Sequence, residues 1–297
     1  MGRPERKRCV GMLGLGIMGS AMAANLMRAG FTVIGYDPAP ACRQRHARAG
    51  GVVARNAEEV SSSAAIIISS LPSSKALDSI SKGISGRKTV VETSTLALAD
   101  KERARKALAA KGATLLDCPL SGTGAQAKTG DLVVFGSGMP SKYRKTIPIL
   151  KGFSRSQYYL GRFGNGSKMK FAANLLVAIH NVSSAEAVIL ARRSGLDPAL
   201  AVKVLGDGAG ASRMLQVRGP LMARRAYLPA TVTQETWRKD MKIIGDFVRR
   251  LGSPAPLFCA TKALYAAAMA QGRAKQDTAA VCAVLERRAR KPKRGIR

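Results

Sequence analysis

The chain is poor in acidic residues, aromatics, paired cysteines and long apolar runs, and each shortage excludes a class of protein. Its five cysteines, Cys9, Cys42, Cys118, Cys259 and Cys282, are scattered and odd in number, with no C-x-x-C pair. They offer neither a disulfide framework nor a zinc site, so no metal is expected and the thiols read as reduced. No window holds the roughly 18 consecutive apolar residues of a membrane span. Met1-Gly2-Arg3-Pro4-Glu5-Arg6-Lys7-Arg8 runs into a strand pattern without the apolar core of a signal peptide, so a cytoplasmic protein with no membrane association is expected. Aromatics make up 5% of the residues, and no zinc-finger or RNA-recognition motif is present.

Acidic residues number only 18 against 49 basic ones, a formal charge of +31. Seven of the basic residues fall in the last eleven positions: Arg287, Arg288, Arg290, Lys291, Lys293, Arg294 and Arg297. Such a field attracts any polyanion. The remaining cations are spread along the chain, so nucleic acid is not the expected partner. A solvated basic face with a disordered basic tail over 289–297 is expected instead, drawing in small anions.

At 297 residues the chain is long enough for two domains. In the first half, Cys9–Gly14, Phe31–Tyr36, Ala65–Leu71, Thr89–Glu92 and Ala113–Leu116 read as buried parallel strands, because they are short continuous apolar runs between helical stretches. Met18–Arg28 places Met18, Met22, Leu26 and Met27 on one helical face, and Gly30 follows as a stop, completing a βαβ unit.

At its first turn stands Gly14-Leu15-Gly16-Ile17-Met18-Gly19. The glycines allow a tight turn, close approach of a pyrophosphate and helix–strand packing, with phosphates at the helix start by Ile17 and Met18. Asp37 ends the second strand eighteen residues after Gly19, where a carboxylate accepts from ribose hydroxyls. An acid there repels a 2′-phosphate, which favours NAD over NADP, while Arg43 and Arg45 nearby soften the preference.

The run Gly-Leu-Gly-Ile-Met-Gly-Ser-Ala-Met-Ala-Ala-Asn-Leu resembles the opening of the β-hydroxyacid dehydrogenases, the family of 3-hydroxyisobutyrate dehydrogenase and tartronate semialdehyde reductase. Asp117-Cys118-Pro119-Leu120-Ser121-Gly122-Thr123 resembles the family's substrate loop, which normally ends Ser-Gly-Gly. The resemblance implies that Ser121, Gly122 and Thr123 hold the substrate carboxylate, a task suited to loop amides at the carboxyl edge of a sheet. Gly164-Asn165-Gly166-Ser167-Lys168-Met169-Lys170-Phe171-Ala172-Ala173-Asn174 is similar to the block that carries the family's catalytic lysine, placing that role on Lys170. Asn174 matches the second asparagine of that block, and Ala173 replaces the first. Four residues apart on a helix, Lys170 and Asn174 share a face. Lys168 is turned roughly 200° from Lys170 and reads as solvated.

Further resemblance lies in Lys239-Asp240-Met241-Lys242, where Lys239 would reach the nicotinamide side, and in Leu71-Pro72 and Ser94-Thr95, which would line the dinucleotide. The implied organisation is an α/β protein. A Rossmann dinucleotide-binding domain covers 1–163. A long helix plus an all-α substrate and dimerisation domain covers 164–288, and the tail covers 289–297. The long helix, Ser167–Ser194, stops at Gly195, and its His180 and Asn181 read as packing or capping groups. Asp197–Leu205, Thr233–Arg250, Pro256–Gln271 and Asp277–Arg288 are the further helices expected.

Oxidation of a hydroxy acid needs a base for the hydroxyl proton while hydride leaves the same carbon; the reverse needs an acid on the carbonyl oxygen. Lys170 is the candidate for both, with Asn174 positioning it or the reacting oxygen. Imine reductases of the same fold generally replace this lysine, and a non-catalytic chromatin-associated relative lacks it, so Lys170 argues against both alternatives. The expected substrate is a small 3-hydroxy acid, 3-hydroxyisobutyrate by family default, and a homodimer or homotetramer is expected.

Overall fold

The computed structural model describes residues 9–288. Strands and helices alternate through its first half: β1 (Cys9–Leu13), α1 (Ile17–Arg28), β2 (Thr32–Tyr36), α2 (Pro40–Arg48), β3 (Val52–Val53), α3 (Ala57–Ser63), β4 (Ile66–Ser69), α4 (Ser74–Lys82), β5 (Thr89–Glu92), α5 (Leu98–Ala109) and β6 (Thr114–Asp117). The six strands form one sheet in the order β3-β2-β1-β4-β5-β6, and each neighbouring pair is parallel.

Continuous apolar runs produce this arrangement because both faces of the sheet are covered. Val10, Met12, Ile68, Val91 and Leu116 feed one buried cluster. Their neighbours Leu13, Ile67, Val90 and Leu115 feed another on the opposite face. Side chains alternate along a strand, so a run with no polar residue fills two layers. The chain leaves β1 for β2 on one side and reaches β4 on the other, so the strand order reverses at β1. A crevice at the carboxyl ends of the strands is expected at such a switch point.

Beyond β6 come β7 (Leu120–Ser121), α6 (Gly124–Lys128), β8 (Val133–Gly136), α7 (Pro140–Lys151) and β9 (Ser156–Tyr159). They make a second sheet, β7 antiparallel to β8 and β8 parallel to β9, which the sequence reading did not anticipate. Reciprocal backbone bonds between Asp117 and Ser137, 3.0 and 2.8 Å, tie the two sheets together.

The chain divides into two compact units, Met1–Lys170 and Phe171–Arg297, and the division falls inside α8 (Asn165–Arg193). The second unit is helical: α9 (Pro198–Asp207), α10 (Arg213–Arg224), α11 (Gln234–Leu251), α12 (Pro256–Ala270), a 3₁₀ turn at Thr278–Ala280 and α13 (Val281–Arg288). The turn splits the single helix expected over 277–288, because Asp277 caps its own short segment by accepting from the Ala279 amide at 3.0 Å.

α8 has 29 residues, roughly 43 Å at 1.5 Å per residue. By length and composition it is apolar enough to cross a membrane. One of its polar side chains is nevertheless fixed inside the helical unit. Asn181 is buried and donates to the Tyr265 hydroxyl (3.1 Å) and to the Thr278 carbonyl (2.9 Å). These bonds mark a core helix, and they give Asn181 the packing role expected of it. Gly195, with φ +84°, ends α8 as expected. The basic tail at 289–297 lies outside the described residues.

Candidate active site

The loop between β1 and α1 is shaped by three glycines with different tasks. Gly14 takes φ +93° and donates its amide to the Tyr36 carbonyl at 2.9 Å. A Cβ on Gly14 would stand 2.2 Å from the Ser70 carbonyl oxygen, and one on Gly19 would stand 1.9 Å from the Gly14 carbonyl oxygen. Those two glycines let β1, β4 and α1 close on one another. A Cβ on Gly16 would meet nothing within 4 Å, so Gly16 lies open on the outer side of the turn. No side chain caps α1, and Ile17, at its first position, is 70% exposed. An uncapped helix start beside an open glycine fits a dinucleotide phosphate. Ile17 and Met18 would serve through their amides, because the Met18 side chain packs into the core.

Asp37 follows β2 with its carboxylate oriented by two amides, Leu15 on Oδ2 at 2.8 Å and Ala39 on Oδ1 at 2.9 Å. Arg43 donates to the Asp37 and Pro38 carbonyls at 2.7 and 3.0 Å. Arg45 instead contacts the Cys42 thiol at 3.0 Å. Leu71 and Pro72 follow β4, and Ser94 and Thr95 follow β5; the Leu71 amide donates to Ser94 Oγ at 2.7 Å. Gly14, Gly16, Gly19, Asp37, Leu71, Pro72 and Thr95 therefore stand along one edge, at the carboxyl ends of four adjacent strands.

Ser121 ends β7, and Gly122 takes φ +137°, a conformation that favours glycine. Thr123 starts α6, and its amide donates to Gln126 Oε1 at 3.0 Å. Thr123 is engaged with Gln126 in a capping box and its hydroxyl is buried, so an anion at this loop would be met first by Ser121 and the Gly122 backbone.

α8 is seated on the sheet by the same glycines that mark its motif. A Cβ on Gly166 would stand 2.2 Å from the Phe135 carbonyl oxygen and 2.6 Å from that of Asp117. The first amides of the helix are capped from the strands beneath: Gly166 donates to Ser137 Oγ (3.0 Å) and Ser167 to Asp117 Oδ2 (2.7 Å). One turn further on stands Lys170, only 9% exposed, and a turn beyond it Asn174, 4% exposed. Lys168 is exposed and contacts Asn165 Oδ1 at 3.3 Å, as its solvated reading requires.

Within the helical unit, Asn174 Nδ2 donates to Asp240 Oδ2 at 3.1 Å, and Lys239 Nζ lies 3.6 Å from Asp240 Oδ1. The sequence reading gave Asp240 no role. An asparagine that must present a fixed amide needs such a buried partner, and that need was the available signal.

Lys101 and Glu92 also went unassigned. Lys101 on α5 is fully buried, 2.6 Å from Glu92 Oε2 and 2.8 Å from Asp117 Oδ1. Burial disfavours the ammonium, but the Asp117 and Glu92 carboxylates outweigh it and hold the Lys101 pKa well above the ordinary lysine range.

Residues 9–161 match the family model of the NAD binding domain of 6-phosphogluconate dehydrogenase, and residues 164–285 that of the NAD-binding domain of NADP-dependent 3-hydroxyisobutyrate dehydrogenase. Over 282 residues, 92% of this chain and 95% of the relative, it is 31% identical to an L-threonate dehydrogenase of Cupriavidus necator.

The chain belongs to the β-hydroxyacid dehydrogenase family.

As a member of that family it is an NAD(P)-dependent oxidoreductase of small hydroxy acids, with a Rossmann domain followed by helices. A 3-hydroxyisobutyrate dehydrogenase structure from Salmonella typhimurium superposes on this dehydrogenase with a TM-score of 0.84, at 26% identity and covering 93% of this chain and 99% of that one. An imine reductase from Pseudomonas reaches a TM-score of 0.65 at 20% identity, covering 94% of this chain and all of its own; it shares the fold alone.

Proposed function

We propose that the chain interconverts a small 3-hydroxy acid of the 3-hydroxyisobutyrate kind and its semialdehyde or ketone, with Lys170 as the general acid and base. One observation carries this reading: Lys170 is almost wholly buried a single turn from the point where α8 is capped by the sheet's carboxyl edge. A buried lysine there is costly unless it has a task.

In oxidation Lys170 takes the proton of the substrate hydroxyl, and in reduction it returns a proton to the carbonyl oxygen. A bound nicotinamide supplies the hydride acceptor or donor. Asn174 shares the Lys170 face of α8. Asp240 fixes its Nδ2, so its Oδ1 is the end left to orient Lys170 or the reacting oxygen. Ser121, Gly122 and Thr123 hold the substrate carboxylate and so convert binding into orientation of the reacting carbon.

Gly14, Gly16, Ile17, Met18 and Gly19 hold the dinucleotide phosphates, Asp37 the ribose, and Leu71, Pro72 and Thr95 line the remainder. Lys239 serves its nicotinamide side. Asp37 makes NAD the preferred cofactor, because its carboxylate stands where NADP would bring a 2′-phosphate. The working division into a dinucleotide domain over 1–163 and a substrate domain over 164–288 is supported by the matched segments, which end at 161 and resume at 164. Free thiols fit a cytoplasmic enzyme. The exposed Leu190, Leu196, Leu200 and Val204 fit burial against another copy in a homodimer or homotetramer, which light scattering would read.

Absorbance at 340 nm tests the reaction, with NAD and NADP against 3-hydroxyisobutyrate, glycerate, threonate and tartronate semialdehyde. Wild type is expected to turn over at least one of them, and Lys170→Ala to lose about 10²–10⁴-fold in kcat while still binding NADH. Turnover undiminished in the variant rules out Lys170 as the acid and base.

A further inference from the structure

A single line of contacts, buried from Ser94 onward, runs beneath the carboxyl edge of the sheet, all within the first compact unit. The Leu71 amide donates to Ser94 Oγ (2.7 Å), and the Ser94 amide to Glu92 Oε1 (2.9 Å). Glu92 Oε2 pairs with Lys101 Nζ (2.6 Å), and Lys101 Nζ with Asp117 Oδ1 (2.8 Å). Asp117 then accepts from Ser167 twice, Oδ1 from the hydroxyl and Oδ2 from the amide, both at 2.7 Å. Ser137 Oγ donates to Asp117 Oδ2 (3.3 Å) and accepts from the Gly166 amide (3.0 Å).

Two carboxylates and one ammonium, all without solvent exposure, are an expensive way to fill a core, since apolar residues of the same volume are often as stable or more so. What the charged cluster adds is direction. It carries one excess negative charge, and that charge faces the positive end of α8. The carboxylate of Asp117 thus does for α8 what no side chain at the helix's own start can do, because position 164 is a glycine.

We propose that Asp117, held by Lys101 and Glu92 and bonded to Ser167, is a positioning residue for Lys170, fixing where α8 begins and joining that point to the loop of Leu71 and Ser94. The inference rests on the role given to Lys170 under the proposed function. Lys170 follows Ser167 by one helical turn, so a shift of the helix start reaches it undiminished. A displacement near 1 Å is worth about 10²-fold in rate.

Four variants of the full chain test this: Ser167→Ala, Ser167→Thr, Asp117→Asn and Lys170→Ala. Each is assayed for kcat and KM with the best hydroxy acid, for NADH affinity, for Tm, and for amide exchange of residues 164–171. The expected result is a kcat loss of about tenfold in Ser167→Ala and about 10²-fold in Asp117→Asn. KM and NADH affinity stay within about twofold, Ser167→Thr recovers most of the loss, and the Gly166 and Ser167 amides exchange at least about tenfold faster in Asp117→Asn.

Wild-type kcat in both Ser167→Ala and Asp117→Asn, with turnover gone in Lys170→Ala, overturns the proposal. So does a kcat loss that follows Tm and NADH affinity downward and is not restored by threonine, which marks a merely structural contact. If Asp117→Asn does not fold, the Ser167 pair decides alone. If Lys170→Ala retains turnover, the reading of Lys170 fails, and unchanged exchange of the Gly166 and Ser167 amides in Asp117→Asn would sink the positioning role as well.

Discussion

Gly16 and Gly19 belong to one motif, but a methyl group added to each would act on different things. At Gly19 the new Cβ would press on the Gly14 carbonyl oxygen, a fixed backbone atom 1.9 Å away. Gly19→Ala must therefore strain the β1–α1 turn, with a cost of about 1–3 kcal/mol typical of overpacking, and the thermal melt should fall accordingly. At Gly16 the new Cβ meets no protein atom within 4 Å, so Gly16→Ala should keep the wild-type melt. It should nonetheless weaken NADH, read by fluorescence titration, by about tenfold, because the methyl occupies the side from which a pyrophosphate approaches. Equal affinities in Gly16→Ala and wild type would remove the phosphates from this turn. The motif was legible in the sequence because its glycines serve backbone geometry, which needs no knowledge of distant residues. Lys101 was illegible for the opposite reason. It stands in Lys101-Glu102-Arg103-Ala104-Arg105-Lys106, which reads as a solvated helix face, and only the approach of Glu92 and Asp117 from the ends of two strands reveals that it is buried.

Elements divide in the same way. β1, β2, β4, β5 and β6 were legible to within a residue or two, because strands covered on both faces must be apolar throughout. β7 has two residues and β9 is Ser-Gln-Tyr-Tyr, so neither carries a periodic signal, and their sheet emerges only from pairing with β8. α10 was missed because Gly219-Pro220 stands inside it; the glycine lies against Val202, where a Cβ would come within 2.8 Å of the side chain. At α2, packing has a consequence for pH. His46 is buried against Gly35 and Gly51, and burial lowers its pKa from 6.5, outweighing its backbone bonds to Val33 and Val52. A histidine whose folded pKa is depressed takes up its proton more readily when unfolded, so below pH 6.5 the unfolded chain binds more protons and stability falls with falling pH. Denaturant melts from pH 7.5 to 5 should show this loss in wild type and a shallower one in His46→Gln. Parallel slopes would mean that another group controls the acid limb.

For the whole molecule the unexplained quantity is charge. The +31 formal charge exceeds anything a fold of this kind requires, and it is compatible with two different uses. If it mainly gathers anionic dinucleotide and hydroxy acid, polyanion binding is incidental and concentrated where cations are densest, at the end of the chain. If the folded units themselves present a nucleic-acid surface, the end is dispensable. Removing 289–297 takes away Arg290, Lys291, Lys293, Arg294 and Arg297 while leaving every residue assigned to the site. The first use predicts that the truncated protein binds heparin or duplex DNA with a salt slope lower by about 3–5, near 0.9 for each phosphate no longer neutralised, and binds NADH as before. A slope unchanged by truncation, with affinity intact, would place polyanion binding on the folded units and make nucleic acid a partner of this dehydrogenase.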